Sequence, residues 1–128
     1  MSAPLRTTIR IDLDNGARLG PGKAQLLELI EQHGSIRAAG AAMDMSYRRA
    51  WLLSNEINGM FRAPSIFTRH GGKSGGGAGL TPFGAELLAR YRRMEEIANQ
   101  AICADLDWLH SQTEPDFHVE DTKAAPPK

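Results

Sequence analysis

The chain has one cysteine, Cys103, in 128 residues, which excludes an internal disulfide. Without a disulfide framework the chain reads as cytoplasmic. No apolar run approaches the ~18 residues that a bilayer-spanning helix needs, so no membrane partner is expected. Residues 1–8 carry no apolar segment of the signal-peptide kind. His33, His70, His110 and His118 stand in neither C-x-x-C nor H-E-x-x-H spacing, so no metal site is expected; a cluster of His110, His118 and the acidic tail is the minor alternative. No nucleophile, base and orienting group stand together, so the chain reads as a non-enzyme. Charge of one sign is also lacking: the formal net charge is zero, which by itself argues against a polyanionic partner.

The distribution of that charge reverses the argument. Between Ser35 and Arg93 nine basic side chains face three acidic ones, whereas from Asp105 onward six acids face two lysines. A neutral sum hides a basic middle and an acidic tail, and phosphate binding responds to the local field. Hydrophobic residues make up 41% of the chain, enough for one core at this length. One domain is expected over residues 1–110, with residues 111–128 as a disordered acidic tail.

Ile9, Ile11 and Leu13 alternate with polar residues, the period of a half-buried strand, and Asn15-Gly16 marks a turn. Pro21-Gly22 opens a helix with Leu26, Leu27 and Ile30 on one face, ending at Gly34. Ser35 caps a short, alanine-rich second helix. Asp44-Met45 breaks it, and Ser46 caps a third helix over residues 46–61, which Pro64 terminates. Ile66 to Arg69 and Leu80-Thr81 read as strands flanking a glycine-dense loop. Thr81-Pro82 starts a long helix expected to run to about residue 110. The fold class is therefore mostly α: a winged helix-turn-helix with a small β wing and a long C-terminal dimerisation helix.

Such a motif places its second helix in the DNA major groove. At about 100° per residue, Ala50, Leu53, Ile57 and Phe61 face the core, while Arg48, Leu52, Asn55 and Gly59 face outward. Arg48 and Arg49 in the first turn suit guanine, which accepts two hydrogen bonds from arginine. Asn55 suits adenine or a phosphate, and the Ser46 and Tyr47 hydroxyls suit phosphate. Trp51 is expected to pack between the helices and the wing. Double-stranded DNA is the expected partner.

Gly72-Lys73-Ser74 invites comparison with a nucleotide-binding loop, but the first glycine of that motif would fall on Phe67, and Gly75 to Gly77 prevent the helix it requires. A hairpin loop carrying Arg69, His70, Lys73 and Ser74 instead suits DNA backbone or minor-groove contact. On the long helix, Leu87, Tyr91, Met94, Ala98, Ile102 and Leu106 recur at helical spacing and predict a homodimer interface.

Gly34-Ser35-Ile36-Arg37-Ala38-Ala39, Ser46-Tyr47-Arg48-Arg49-Ala50-Trp51, Asn55-Glu56-Ile57-Asn58, the Gly71 to Ala78 loop, and Leu80-Thr81 with Gly84 form a connected pattern. It resembles the N-terminal DNA-binding domain of the ModE-type molybdate-responsive regulators and, more distantly, the LysR-type winged helix, over residues 8–105. The resemblance implies a dimeric repressor or activator of molybdenum-related genes. In that family molybdate is held by separate C-terminal barrels, to which residues 111–128 have no likeness. No cofactor is therefore expected in this chain, and the open alternatives are that it works with a separate effector-binding protein that holds molybdate, responds to another signal, or acts constitutively. The rival expectation is a protein-interaction module that no longer binds DNA and recruits a partner through its long helix.

Overall fold

The computed structural model describes residues 5–70 and 76–119. In chain order the elements are β1 (Ile11–Asp12), β2 (Arg18–Leu19), α1 (Pro21–His33), α2 (Ile36–Ala42), α3 (Tyr47–Met60), β3 (Ile66–Arg69), β4 (Gly77–Leu80), α4 (Pro82–Ala101) and α5 (Cys103–Gln112). The alternation at Ile9 to Leu13 yields only a two-residue strand, paired antiparallel with β2 through Ile11↔Leu19 and Asp12↔Arg18. Its turn is shaped by Gly16 at φ 89°, with the Asn15 side chain accepting from the Ala17 N–H at 3.0 Å. Asn15 also donates to the Met60 carbonyl at 3.0 Å, which seats this turn on the end of α3.

Local chemistry sets the helix boundaries. Gly34 ends α1 at φ 74°, and its N–H donates to the Ile30 carbonyl at 2.8 Å. Ser35 Oγ accepts from the Ala38 N–H at 2.9 Å to start α2, and Ser46 Oγ accepts from the Arg49 N–H at 3.1 Å to start α3. Between them Asp44 turns the chain at φ 58°, a left-handed conformation that aspartate tolerates. The small side chains of α2 then serve packing: a Cβ on Gly40 would sit 2.6 Å from Ala50 Cβ. Only glycine lets the two helices approach so closely.

The core gathers Leu26, Leu27 and Ile30 of α1, Ile36 and Ala39 of α2, Ala50 and Ile57 of α3, and Leu88 and Tyr91 of α4. Each fully buried leucine or isoleucine contributes ~1.5–3 kcal/mol by leaving water. β3 and β4 pair antiparallel from Ile66↔Leu80 to Arg69↔Gly77, and Ile66 and Ala78 point into that core. Asn58 locks α3 to β3: its Oδ1 accepts from the Ser65 and Ile66 N–H groups at 2.9 and 2.8 Å, and its Nδ2 donates to the Ile66 carbonyl at 2.9 Å. The Ala78 N–H donates to the Gly34 carbonyl at 2.8 Å, tying the hairpin to the α1–α2 corner.

The fold class expected from the sequence is corrected. Instead of one β wing and one long terminal helix, the described residues form five helices and two separate two-stranded antiparallel sheets. The helix expected over residues 82–110 is two, broken at Ile102. α4 packs on α1 and buries Leu88 and Tyr91, whereas α5 buries no residue, so packing that holds the first segment straight does not extend to the second. Helical structure reaches Gln112, beyond the boundary expected for the domain.

Candidate functional site

The capped start of α3 presents a continuous outward face. Tyr47, Trp51 and Leu52 are 44%, 44% and 47% exposed, and Arg48, Arg49 and Asn55 are exposed beside them. Ala50, Ser54, Ile57 and Met60 occupy the opposite, buried side. Trp51 therefore does not pack between the helices and the hairpin, as its apolar ring suggested. It stands on the outward face one turn from Tyr47. A groove of about 420 Å³ runs along this face, lined by Ser46, Arg48, Arg49, Leu52, Leu53 and Glu56. Glu56 is held at 2.8 Å by Lys23 of α1, whose side chain is only 14% exposed.

The β3–β4 hairpin stands next to this face. Arg69 and His70 are exposed at its end, with the Arg69 guanidinium 5.2 Å from the Phe67 ring centroid. Lys73 and Ser74 lie outside the described residues. A second cleft of about 370 Å³ joins the hairpin to the helices and includes Ser35, Arg37, Tyr47, Thr68 and Arg69 in its lining. Arg37 belongs to the basic middle and to the Gly34–Ala39 pattern of the sequence, neither of which marks it as a member of this cleft. It sits ten residues before Tyr47 on another helix, and no periodicity reveals that its guanidinium lies 4.3 Å from the Tyr47 ring centroid.

Several basic side chains outside α2, α3 and β3 are held in ion pairs. Arg10, Arg18, Lys23, Arg90 and Arg92 have carboxylate partners within 4.0 Å. Among the described residues Arg37, Arg48, Arg49 and Arg69 have none, and neither do Arg6, Arg62 and Arg93. The basic groups of α2, α3 and β3 thus keep their N–H donors available for an external acceptor.

The residues expected at a dimer interface are split by the fold. Tyr91 is fully buried in its own chain, and its hydroxyl donates to the Ile9 carbonyl at 2.6 Å. Burial raises its pKa above the ordinary 10.0, with Glu95 adding to the rise. Leu87 and Met94 pack against the same core, and Ala98 and Leu106 are half-buried. Only Ile102, 37% exposed, faces outward from the expected set. Further exposed apolar side chains are Ile97, Trp108 and Leu109 at 57%, 62% and 49%. Leu87, Tyr91 and Met94 lie before the break and are taken up by the chain's own core, and the break at Ile102 redirects only the part of the stripe beyond it.

No helix among the described residues is long and apolar enough to cross a membrane. Among the same residues no three His, Cys, Asp or Glu side chains gather into a metal-binding group.

No protein-family profile matches the chain. It is similar to the molybdenum-pterin-binding protein MopB of Rhodobacter capsulatus, 42% identical over 80 residues that make up 62% of this chain and 30% of the relative. The molybdenum transport protein ModE of Azotobacter vinelandii is 36% identical over 66% of this chain and 32% of its own length. The DNA-binding transcriptional dual regulator ModE of Escherichia coli K12 is 35% identical over 63% of this chain and 31% of its own length. The chain thus spans about a third of the length of these relatives. These matches correct the narrower expectation of an N-terminal DNA-binding domain set apart from molybdenum binding. The shared region recurs in proteins named for molybdenum-pterin binding as well as in regulators, and the matches do not assign it to a DNA-binding part. What the comparisons establish is similarity to molybdenum-pterin-binding proteins and to ModE transcriptional regulators, which are named for binding, transport and regulation.

Proposed function

We propose that the protein is a regulator of molybdenum-related genes that binds duplex DNA as a homodimer. The exposed face of α3 reads bases in the major groove, and the β3–β4 hairpin contacts the backbone. The observation that carries this reading is that Arg37 and Arg69 share a cleft with Tyr47 and Arg48 and Arg49 line a groove on α3, all four without a carboxylate partner among the described residues, in a chain whose formal net charge is zero. Arg48 and Arg49 open a capped helix, a position from which arginine reaches guanine edges. The relative named a DNA-binding regulator supports the same partner, and the molybdenum-pterin-binding relatives support molybdate as the associated signal.

Site selection from random duplexes, run with and without molybdate, tests both parts. Enrichment of a palindromic sequence is the expected result, and a change of affinity with micromolar molybdate places the signal on this chain. Absence of any enriched sequence overturns the DNA reading. A second reading, a protein-interaction module, is favoured by Ile97, Trp108 and Leu109, which α4 and α5 leave exposed. Under that reading the selection returns no sequence, and the protein associates through these side chains.

A further inference from the structure

The cleft between α2, the start of α3 and the hairpin has properties that base reading on α3 does not use. Two guanidiniums border it, each laid on an aromatic ring: Arg37 on Tyr47 at 4.3 Å and Arg69 on Phe67 at 5.2 Å. A cation–π contact restrains a guanidinium and leaves N–H groups to bind an acceptor in a forked geometry. Among the described residues no acidic side chain lines the cleft, and neither arginine has a carboxylate partner. Thr68 and Tyr47 add hydroxyl donors, and Gly77, whose added Cβ would lie 3.1 Å from the Gly34 carbonyl, keeps the wall low at the hairpin side. Charge-assisted donors from two directions around an open space of about 370 Å³ suit a tetrahedral oxyanion better than a planar base edge.

We propose that this cleft clamps one backbone phosphodiester of the bound duplex between Arg37 and Arg69. The inference rests on the DNA-binding reading and adds a site to it. The cleft meets the α3 face at Tyr47, so a strand held in it runs on to bring neighbouring bases against α3. A free tetrahedral oxyanion such as molybdate shares the chemistry, and the experiment separates the two sources.

The full chain and its R37A, R37K and R93A variants are titrated by fluorescence anisotropy with the selected duplex and with a scrambled one, across salt. Arg93 is exposed on α4, does not line the cleft and serves as the control. The expected result is that R37A weakens both duplexes by the same factor, about tenfold at moderate salt, and lowers the salt slope by about 0.9, the value of one phosphate contact. R37K restores the slope but not the full affinity, because lysine keeps the charge and loses the fork. R93A behaves as the unmodified protein. An unchanged slope in R37A, or a loss confined to the selected duplex, overturns the phosphate clamp while leaving DNA binding intact. Failure of the unmodified protein to bind any duplex at low salt overturns the DNA-binding reading itself. A molybdate-induced thermal shift that R37A abolishes assigns the cleft to the free anion and overturns the phosphodiester assignment.

Discussion

Gly84 of α4 lies so close to Ser65 that a Cβ on the glycine would sit 2.1 Å from the Ser65 carbonyl oxygen. The neighbour is backbone, held by the Thr81 N–H at 3.0 Å and by Asn58 on its own N–H, so it has little room to retreat. Gly84→Ala is expected to lower stability by about 3 kcal/mol of overlap, offset by about 1 kcal/mol of helix propensity. Gly22, with nothing within 4 Å of its added Cβ, is the contrast. Gly22→Ala is expected to be neutral or to stabilise by up to about 1 kcal/mol. Urea unfolding of both variants checks the pair, and equal midpoints would contradict the close approach.

Asn58 satisfies two backbone donors and one acceptor where α3 meets β3. Asn58→Ala leaves those groups unpaired in a part-buried place, at a cost of about 1–3 kcal/mol. Asn58→Asp keeps the acceptor and loses the donor to Ile66, so it is expected to fall between the two. The prediction fails if Asn58→Asp unfolds at a lower denaturant concentration than Asn58→Ala.

Tyr91 links α4 to the N-terminal segment, and its raised pKa gives a pH dependence of defined sign. The neutral phenol is favoured in the folded state, so its contribution is fully present below pH 10.0 and is lost as pH rises through the higher folded value. Tyr91→Phe removes this alkaline loss and costs about 1 kcal/mol at neutral pH, because the Ile9 carbonyl loses its donor. Thermal unfolding from pH 7 to 11 compares the two slopes.

Arg48 and Lys73 are expected to affect DNA binding in different ways. Arg48→Ala is expected to weaken binding to the selected site and to relax its base preference, at about 1–3 kcal/mol for the base pair concerned. Lys73→Ala is expected to weaken all sequences alike and to reduce the salt slope by about one. Anisotropy titrations across salt with matched and mismatched duplexes distinguish these outcomes, and unchanged affinity in both variants removes the groove assignment.

Local signals carried most of the secondary structure. Ser35, Ser46 and Thr81 cap the helices as their side chains imply, and Gly34 ends α1, because each signal depends on neighbours within four residues. The outward arginines of α3 were equally legible from 100° spacing. Contacts across the chain were not. β2 has no alternation of its own to announce it, and Trp51 looked like core because its ring is apolar, although its position on α3 leaves it in solvent. The expected stripe on the last helix is divided, because Tyr91 finds its partner in Ile9, 82 residues away, and because the helix breaks at Ile102. Arg37 was invisible as a site member for the same reason, since its ring partner lies on a different helix.

The bond from the Ala78 N–H to the Gly34 carbonyl has a consequence for anything that spans the hairpin and α3. Gly34 is a corner of fixed handedness between two helices that share the core with α3, so the hairpin base moves only if that corner moves. The two surfaces act as the jaws of a gauge with a set opening. A ligand that engages both must match that spacing, and a duplex whose groove is too narrow or too wide has to deform to fit.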